Sequence, residues 1–132
     1  MKHPEMRNQL ISILQSLSNW EYQKKCWVLN EYPKGVEYDD FDLSVHFLFD
    51  DTELASDPEK NIGYILKDKI EAQTVKAVCD ELDKIFSKYG LDKTDEEYIN
   101  LVEWEKVIES ASKALKIIQV ENHDSSSISV SF

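Results

Sequence analysis

A chain of 132 residues, of which 42% are hydrophobic and 31% are charged, has the composition of a soluble globular domain and not of a disordered chain. Its formal net charge of −11 at pH 7 argues against binding to nucleic-acid phosphates or anionic membranes, because both require clustered lysine and arginine. No apolar run reaches the roughly 18 residues that a membrane span needs, and the N-terminus lacks the apolar core of a secretory signal.

The two cysteines, Cys26 and Cys79, are far apart and belong to no Cys-x-x-Cys pair. Isolated cysteines in a chain without a leader fit a reducing cytoplasm, where a buried cysteine behaves as a small hydrophobic residue. We therefore expect a cytoplasmic protein whose two thiols lie in the core.

Two helices and a loop are predicted in the first part of the chain. Pro4 suits the first turn of a helix, and the apolar residues that follow have helical spacing: Met6, Leu10, Ile13, Leu14 and Leu17. Ser18 or Asn19 can cap a second, short helix that carries Trp20, Tyr22, Cys26 and Trp27. Pro33 and Gly35 indicate that a loop follows.

Residues 35–59, which we call the acidic segment, contain no lysine or arginine. The carboxylates of this segment include Glu37, Asp39, Asp40, Asp42, Asp50, Asp51, Glu53 and Asp57. Apolar residues are interleaved with them, which indicates a folded segment and not a solvated acidic tail. Because such charges repel one another and cost stability, an ordered acidic surface is useful mainly for attracting a positively charged partner.

The secondary structure of the acidic segment has two interpretations. The apolar residues Phe41, Leu43, Val45, Phe47 and Phe49 alternate as in a half-buried strand. One broad helical face is also formed, by Phe41, Val45, Leu48 and Phe49, and Asp39 or Asp40 could cap that helix. We favour a buried helix because no partner strand with a comparable pattern lies nearby.

Further helices are predicted in the second half of the chain. Ser56 to Glu59 have the spacing of a capping box with proline in the first turn, so a helix should start there and be interrupted at Gly63. The clearest helix ends at Gly90 and carries Ile70, Val75, Val78, Cys79, Leu82, Ile85, Phe86 and Tyr89. Thr94 opens another capping box, and the run behind it contains Tyr98, Leu101, Val102, Trp104, Val107, Ile108, Ala111, Leu115 and Ile118.

A polar, serine-rich C-terminal tail, residues 122–132, follows a helical domain of residues 1–121. Ile128, Val130 and Phe132 alternate within the tail, which allows one short strand, and a disordered tail is the alternative. Few glycines and prolines interrupt the chain. The whole pattern therefore predicts an all-α, single-domain helical bundle of about five to seven helices.

The sequence offers little chemistry for catalysis. His46 lies among carboxylates that could orient its ring, but a histidine that is hydrogen-bonded at the edge of the core is the more common arrangement. The acidic segment lacks the glycine-bearing turn of a calcium loop, so no metal or cofactor site is predicted. We expect no enzyme, and a small metal-dependent hydrolase that uses His46 is the remaining catalytic alternative.

The run from Tyr32 to Leu66 resembles a family of small acidic bacterial proteins. The residues that match the pattern of that family are Pro33, Gly35, Glu37, Tyr38, Asp39, Asp40, His46, Phe47, Leu48, Phe49, Asp50, Asp51, Thr52, Pro58, Glu59, Ile62, Gly63, Ile65 and Leu66. The similarity extends over residues 5–118 and leaves out the serine-rich tail. Most members of that family are uncharacterised, and some resemble immunity proteins of contact-dependent growth inhibition and related polymorphic toxin systems.

That resemblance implies a cytoplasmic immunity protein that neutralises a cognate toxin by stoichiometric occlusion. The toxin would be a cationic nuclease or ribonuclease, because the clefts of nucleases are basic and complement an acidic surface. We expect a monomer whose toxin-binding residues are Glu37, Tyr38, Asp39, Asp40, Asp42, Asp50, Asp51 and Glu53. A regulatory or scaffold module for another basic protein is the alternative.

Overall fold

The computed structural model describes the backbone of residues 2–130 and the side chains of residues 2–120. Over that range the prediction of an all-α fold is confirmed, since six α-helices and no strand are present. The helices are α1 Pro4–Leu17, α2 Trp20–Gln23, α3 Phe41–Val45, α4 Lys69–Tyr89, α5 Asp95–Ile99 and α6 Trp104–Val130. A π-helical turn extends α2 over Lys24–Val28, another extends α3 over His46–Asp51, and a 3₁₀ turn spans Pro58–Asn61. Within these residues no helix is both long enough and apolar enough to cross a membrane.

Capping residues place several helix ends where the sequence predicts them. The Asn19 side chain accepts a hydrogen bond from the backbone N–H of Tyr22 at 3.0 Å and starts α2. Thr94 and Glu97 form the predicted capping box of α5. Gly90 follows α4 with a φ of +84°, a left-handed conformation that favours glycine over residues with a Cβ.

A tight turn takes the place of the helix predicted to start at Ser56. Pro58–Asn61 is one 3₁₀ turn, and its N-cap residue Asp57 makes no side-chain hydrogen bond to it. The chain reverses directly afterwards, since Gly63 has a φ of +90° and its N–H donates to the Leu66 carbonyl at 2.8 Å. The reversal brings Leu66 into the core and ends the turn before a longer helix can form.

The last part of the chain differs from its prediction in two ways. The run after Thr94 forms two helices, α5 and α6, which are separated by a turn over residues 100–103. Helix α6 continues to Val130, so the short strand suggested by Ile128, Val130 and Phe132 is wrong for the described residues 128–130. Extending an existing helix adds a hydrogen bond with each residue, whereas a lone strand has no partner. Residues 131–132 lie outside the described chain.

The acidic segment is helical, and the preference for a helix over a strand is confirmed. Helix α3 and its π-helical turn run without a break. Phe41, Ser44, Phe47 and Leu48 are buried, which is the spacing of a helix face and not the alternation of a strand. Leu43, which the strand pattern would bury together with Phe41, is 47% exposed.

Helix α6 packs against both α1 and α4. Its buried residues include Trp104, Val107, Ala111, Ala114 and Ile118. The ring of Phe41, at the start of α3, lies among four others, with centroid distances of 5.5 Å to Trp27, 5.1 Å to Trp104, 5.3 Å to Tyr98 and 5.9 Å to Phe86. Aromatic pairs of this kind add roughly 0.5–1.5 kcal/mol each beyond area burial, so this aromatic cluster holds the start of α3 firmly.

A buried ion pair joins α1 to α4. Arg7 and Glu71 are 5% and 0% exposed, and the guanidinium donates to both carboxylate oxygens at 2.8 Å. Arg7 also donates to the Ile65 carbonyl at 2.9 Å, and Glu71 accepts the backbone N–H of Lys67 at 2.7 Å. Such additional hydrogen bonds offset the hydration that both charges lose on burial. The pair therefore sets how α1 lies on the start of α4.

Glu71→Ala should strongly destabilise the domain, because it leaves the Arg7 guanidinium buried without its counter-charge. Breaking a buried pair in this way costs about 3–5 kcal/mol. The matched control is Asp80→Ala, which breaks an exposed pair with Lys76 on the same helix and should cost less than about 1 kcal/mol. Urea unfolding measures both losses, and similar values would contradict the structural role of the buried pair.

Candidate functional site

The Asp39 carboxylate anchors the acidic segment to the body of the domain. Its Oδ2 atom accepts hydrogen bonds from Ser16 Oγ at 3.3 Å, Tyr22 OH at 2.8 Å and Trp27 Nε1 at 3.1 Å. These donors belong to α1, α2 and the π-helical turn after α2. Burial, followed by the hydrogen bond to Asp39, raises the pKa of Tyr22, so its hydroxyl stays protonated and remains a donor. Asp39 is thus a structural carboxylate more than a free surface charge.

Asp40 and Tyr38 form the N-terminal end of α3. Oδ1 of Asp40 accepts the backbone N–H of Leu43 at 3.0 Å and caps the helix, while its Oδ2 accepts the Tyr38 hydroxyl. That second hydrogen bond, together with the charge of Asp40, raises the pKa of Tyr38 to about 12. Tyr38 is still 58% exposed, and Glu37 beside it is exposed as well, so both can contact a partner.

Several carboxylates of the acidic segment lie on its solvent side. The exposed ones on α3 and its π-helical turn are Asp42, Asp50 and Asp51. Asp50 lies 2.7 Å from His46 Nδ1, one helical turn earlier. Glu53 lies 3.8 Å from Lys60. Among the described side chains, no other carboxylate predicted to bind the toxin has a lysine or arginine partner. The cations of the domain therefore leave most of this surface uncompensated.

The predicted binding residues lie on one helix and its flanks, but their roles differ. Asp39 and Asp40 are engaged inside the domain, as an anchor and a helix cap. The remaining residues, which we call the acidic face, are Glu37, Tyr38, Asp42, Asp50, Asp51 and Glu53. Asp42 lies in the first turn of α3 and Asp51 at the end of the π-helical turn that follows, nine positions later. A surface of that length can contact several cationic side chains of a partner.

Asp95 is an acidic neighbour that the local sequence pattern does not reveal. Its carboxylate accepts the backbone N–H of Phe41 at 3.2 Å, although the two residues are 54 positions apart. Burial raises the pKa of Asp95, the charges of Asp40 and Asp42 raise it further, and together they outweigh the lowering by the Phe41 hydrogen bond. Acidic residues are favoured in the first turn of a helix, and Asp95 is one of three in the first turn of α5, so its sequence context contains no second signal.

The side chains of this surface are open to water. Among the described side chains, no group of three His, Cys, Asp or Glu residues is placed to hold a metal ion. The side chains of His46 and Asp50 are 63% and 60% exposed, so water reaches both of them. Electrostatic catalysis is strongest where water is excluded. Exposed carboxylates of this kind can pair with cationic side chains.

These features define a class of protein, an all-α domain that presents a firmly anchored acidic helix. The chain belongs to the family described as Domain of unknown function (DUF7945), whose model matches residues 1–126. No curated protein and no solved structure shows significant similarity to the chain. The expectation of an uncharacterised family is confirmed, whereas the match shows no link to immunity proteins. The match includes residues 5–118 and also residues 122–126, which belong to the serine-rich tail that the resemblance leaves out.

Asp39→Ala should destabilise the fold, because the Tyr22 and Trp27 donors lose their shared acceptor. A buried donor left unpaired costs about 1–3 kcal/mol. Trp27 is buried and Tyr22 is half-buried, so we expect the unfolding free energy to fall by about 1–4 kcal/mol. The control, Glu37→Ala, removes an exposed carboxylate two residues earlier. It should change the unfolding free energy by less than about 0.5 kcal/mol. Urea unfolding followed by tryptophan fluorescence compares the two variants. A loss for Asp39→Ala no greater than that of the control would show that Asp39 is not an anchor.

Asp95→Asn should alter how stability depends on pH. Because the pKa of Asp95 is raised in the folded state, that state binds more protons than the unfolded state between the ordinary pKa of 3.8 and the raised value. The unfolding free energy contributed by Asp95 therefore rises as the pH falls through that window. Asparagine keeps an acceptor for the Phe41 N–H, so the variant should be more stable at neutral pH by roughly a few tenths of a kcal/mol. Thermal melts over this pH range compare the stability of the variant with that of the unmodified domain, and Asp92→Asn is the exposed control. An Asp95→Asn variant that is less stable at neutral pH would contradict the prediction.

Proposed function

We propose that this domain is an immunity protein that neutralises a cognate antibacterial toxin by stoichiometric binding. The toxin is a cationic nuclease or ribonuclease of a contact-dependent growth inhibition system or a related polymorphic toxin system. Two observations support the proposal: the acidic face, and the resemblance of residues 32–66 to small acidic proteins of which some resemble immunity proteins. The observation that carries it is the position of exposed, uncompensated carboxylates on a helix that the rest of the domain holds in place.

Charge complementarity is the physical basis of the proposal. A nuclease holds the phosphates of its substrate with clustered lysine and arginine. A protein with a net charge of −11 attracts such a cleft before contact and speeds association. At contact, carboxylates pair with the same cations that would otherwise hold the substrate. The cleft is then blocked without any chemical reaction.

The acidic face is organised before a partner arrives. The hydrogen bonds of Asp39 and the ring contacts of Phe41 fix the start of α3. Binding to a fixed surface costs less ordering entropy than binding to a mobile one. Tyr38 and Leu43, which are 58% and 47% exposed, add apolar contact area between the carboxylates. Tyrosine is among the residues that contribute most to interface energy.

Direct contact with the toxin is assigned to the residues of the acidic face. Asp39 and Asp40 also position that face, because their hydrogen bonds inside the domain hold the helix that carries the others. His46 lies next to Asp50 and can keep that carboxylate oriented towards a partner.

Neutralising the three exposed aspartates of the acidic face should slow association with the toxin; these are Asp42, Asp50 and Asp51. We expect the association rate constant to fall roughly tenfold at low salt and to depend less on salt, because long-range attraction supplies that part of the rate. The control triple variant removes the same charge from α4, as Asp80→Asn, Glu81→Gln and Asp83→Asn. Stopped-flow fluorescence at several salt concentrations measures both. Equal effects of the two triple variants would exclude the acidic face as the binding surface.

Growth rescue examines the immunity function itself. The toxin candidates are the proteins encoded by the genes that neighbour the gene of this chain. Co-expression should restore growth, and the two proteins should co-purify as a one-to-one complex. Co-purification without rescue would favour the second candidate that the same acidic face supports, a regulatory or scaffold module for a basic protein. If co-expression does not restore growth and the two proteins do not co-purify, both functions are contradicted.

A further inference from the structure

A cavity of about 290 Å³ opens between α1 and the acidic segment. Its apolar lining includes Ile13, Val36 and Leu43, and its acidic lining consists of Asp39 and Asp51. No lysine or arginine is among its lining residues in the described chain. Its volume is just below the roughly 300–1,000 Å³ of small-molecule pockets, so it suits a single side chain better than a larger ligand.

The π-helical turn shapes the acidic side of this cavity. An α-helix rotates by about 100° per residue, so residues five positions apart point about 140° away from each other. A π-helix is closed by hydrogen bonds between residues five apart, which brings such residues to the same side. His46 and Asp51 are five apart in the π-helical turn, and both line the cavity. The turn thus places at the cavity a carboxylate that a regular α-helix would direct elsewhere.

Both carboxylates of the lining can accept further hydrogen bonds. The three donors to Asp39 all bind Oδ2, and within the described residues no donor reaches its Oδ1. Asp51 is exposed, and this part of the chain supplies no ion-pair partner for it. The acceptors lie beside apolar side chains in the same cavity. A ligand with a cationic head and an apolar stem matches that lining.

We propose that the cavity receives one arginine side chain of the partner protein. This inference rests on the proposed function, because it names the residue type that the domain captures on its toxin. The methylene stem packs on the apolar lining, and the guanidinium donates to Asp39 Oδ1 and to Asp51. A guanidinium fits better than an ammonium group because it is planar, offers five donors, is less strongly hydrated and stacks on an aromatic ring such as that of Tyr38, which lines the cavity.

The test uses the whole chain and the capped tripeptide acetyl-Gly-Arg-Gly-amide, with acetyl-Gly-Lys-Gly-amide for comparison. Ser12→Phe fills the cavity from α1 without removing a carboxylate. Gln15→Phe, the matched control, places the same ring on α1 outside the cavity lining. Nuclear magnetic resonance titrations should show the arginine peptide perturbing the amides of Val36 and Asp51. Ser12→Phe should weaken its binding at least about tenfold, and Gln15→Phe should leave it unchanged.

Asp51→Asn is a second variant that removes one acceptor without adding bulk. It should weaken binding of the arginine peptide several-fold while leaving the melting temperature close to that of the unmodified domain. Circular dichroism melts establish that all three variants are folded. The inference is overturned if the arginine peptide does not bind, if Ser12→Phe binds it as well as the unmodified domain, or if the lysine peptide binds equally tightly.

Growth rescue separates this inference from the proposed function. A Ser12→Phe variant that protects as well as the unmodified domain, and associates with the toxin as tightly, would overturn the arginine site and leave the immunity function standing. An unmodified domain that binds the arginine peptide in the cavity but gives no protection would support the site and contradict the immunity function.

Discussion

The Asp39 carboxylate is the constraint on which the position of the acidic helix depends. A single oxygen atom accepts donors from three successive helical elements, and Phe41, two residues later, enters the aromatic cluster. A half-buried carboxylate without these donors would be costly, because lost hydration would go uncompensated. With them, the chain has little freedom between the two anchors. The start and direction of helix α3 are therefore fixed, and so are the positions of the exposed carboxylates that it carries.

Acidic residues act in two opposite ways in this domain. Asp39, Asp40 and Glu71 hold elements together by accepting hydrogen bonds from inside the domain. The acidic face and its half-buried neighbour Asp95 repel one another, and that repulsion opposes folding. The aromatic cluster stabilises the fold against it. A charge distribution that costs stability, placed on a helix that is held so firmly, is the arrangement expected of a surface that binds.

Most helix boundaries could be predicted because their causes are local. Asn19, Thr94 and Gly90 act through bonds or backbone angles within a few residues, so the sequence contains the whole signal. The helical state of the acidic segment followed from its three- and four-residue apolar spacing and the lack of a partner strand. The capping box at Ser56 shows the limit of such signals. The helix predicted from that capping box does not form, because the chain reverses at Gly63 and brings Leu66 into the core.

The sequence by itself determined the helical class and the concentration of negative charge in residues 35–59, because periodicity and composition are properties of neighbouring residues. Only the tertiary structure decided which carboxylates face inward. Asp39 and Asp42 have the same chemistry and similar surroundings in the sequence, yet the first is bound by donors 12 to 23 positions away and the second is exposed. Asp95 lies 54 positions after Phe41 in the sequence, yet its carboxylate accepts the Phe41 N–H. Contacts of that range arise from helix packing, which brings together residues that no local pattern relates.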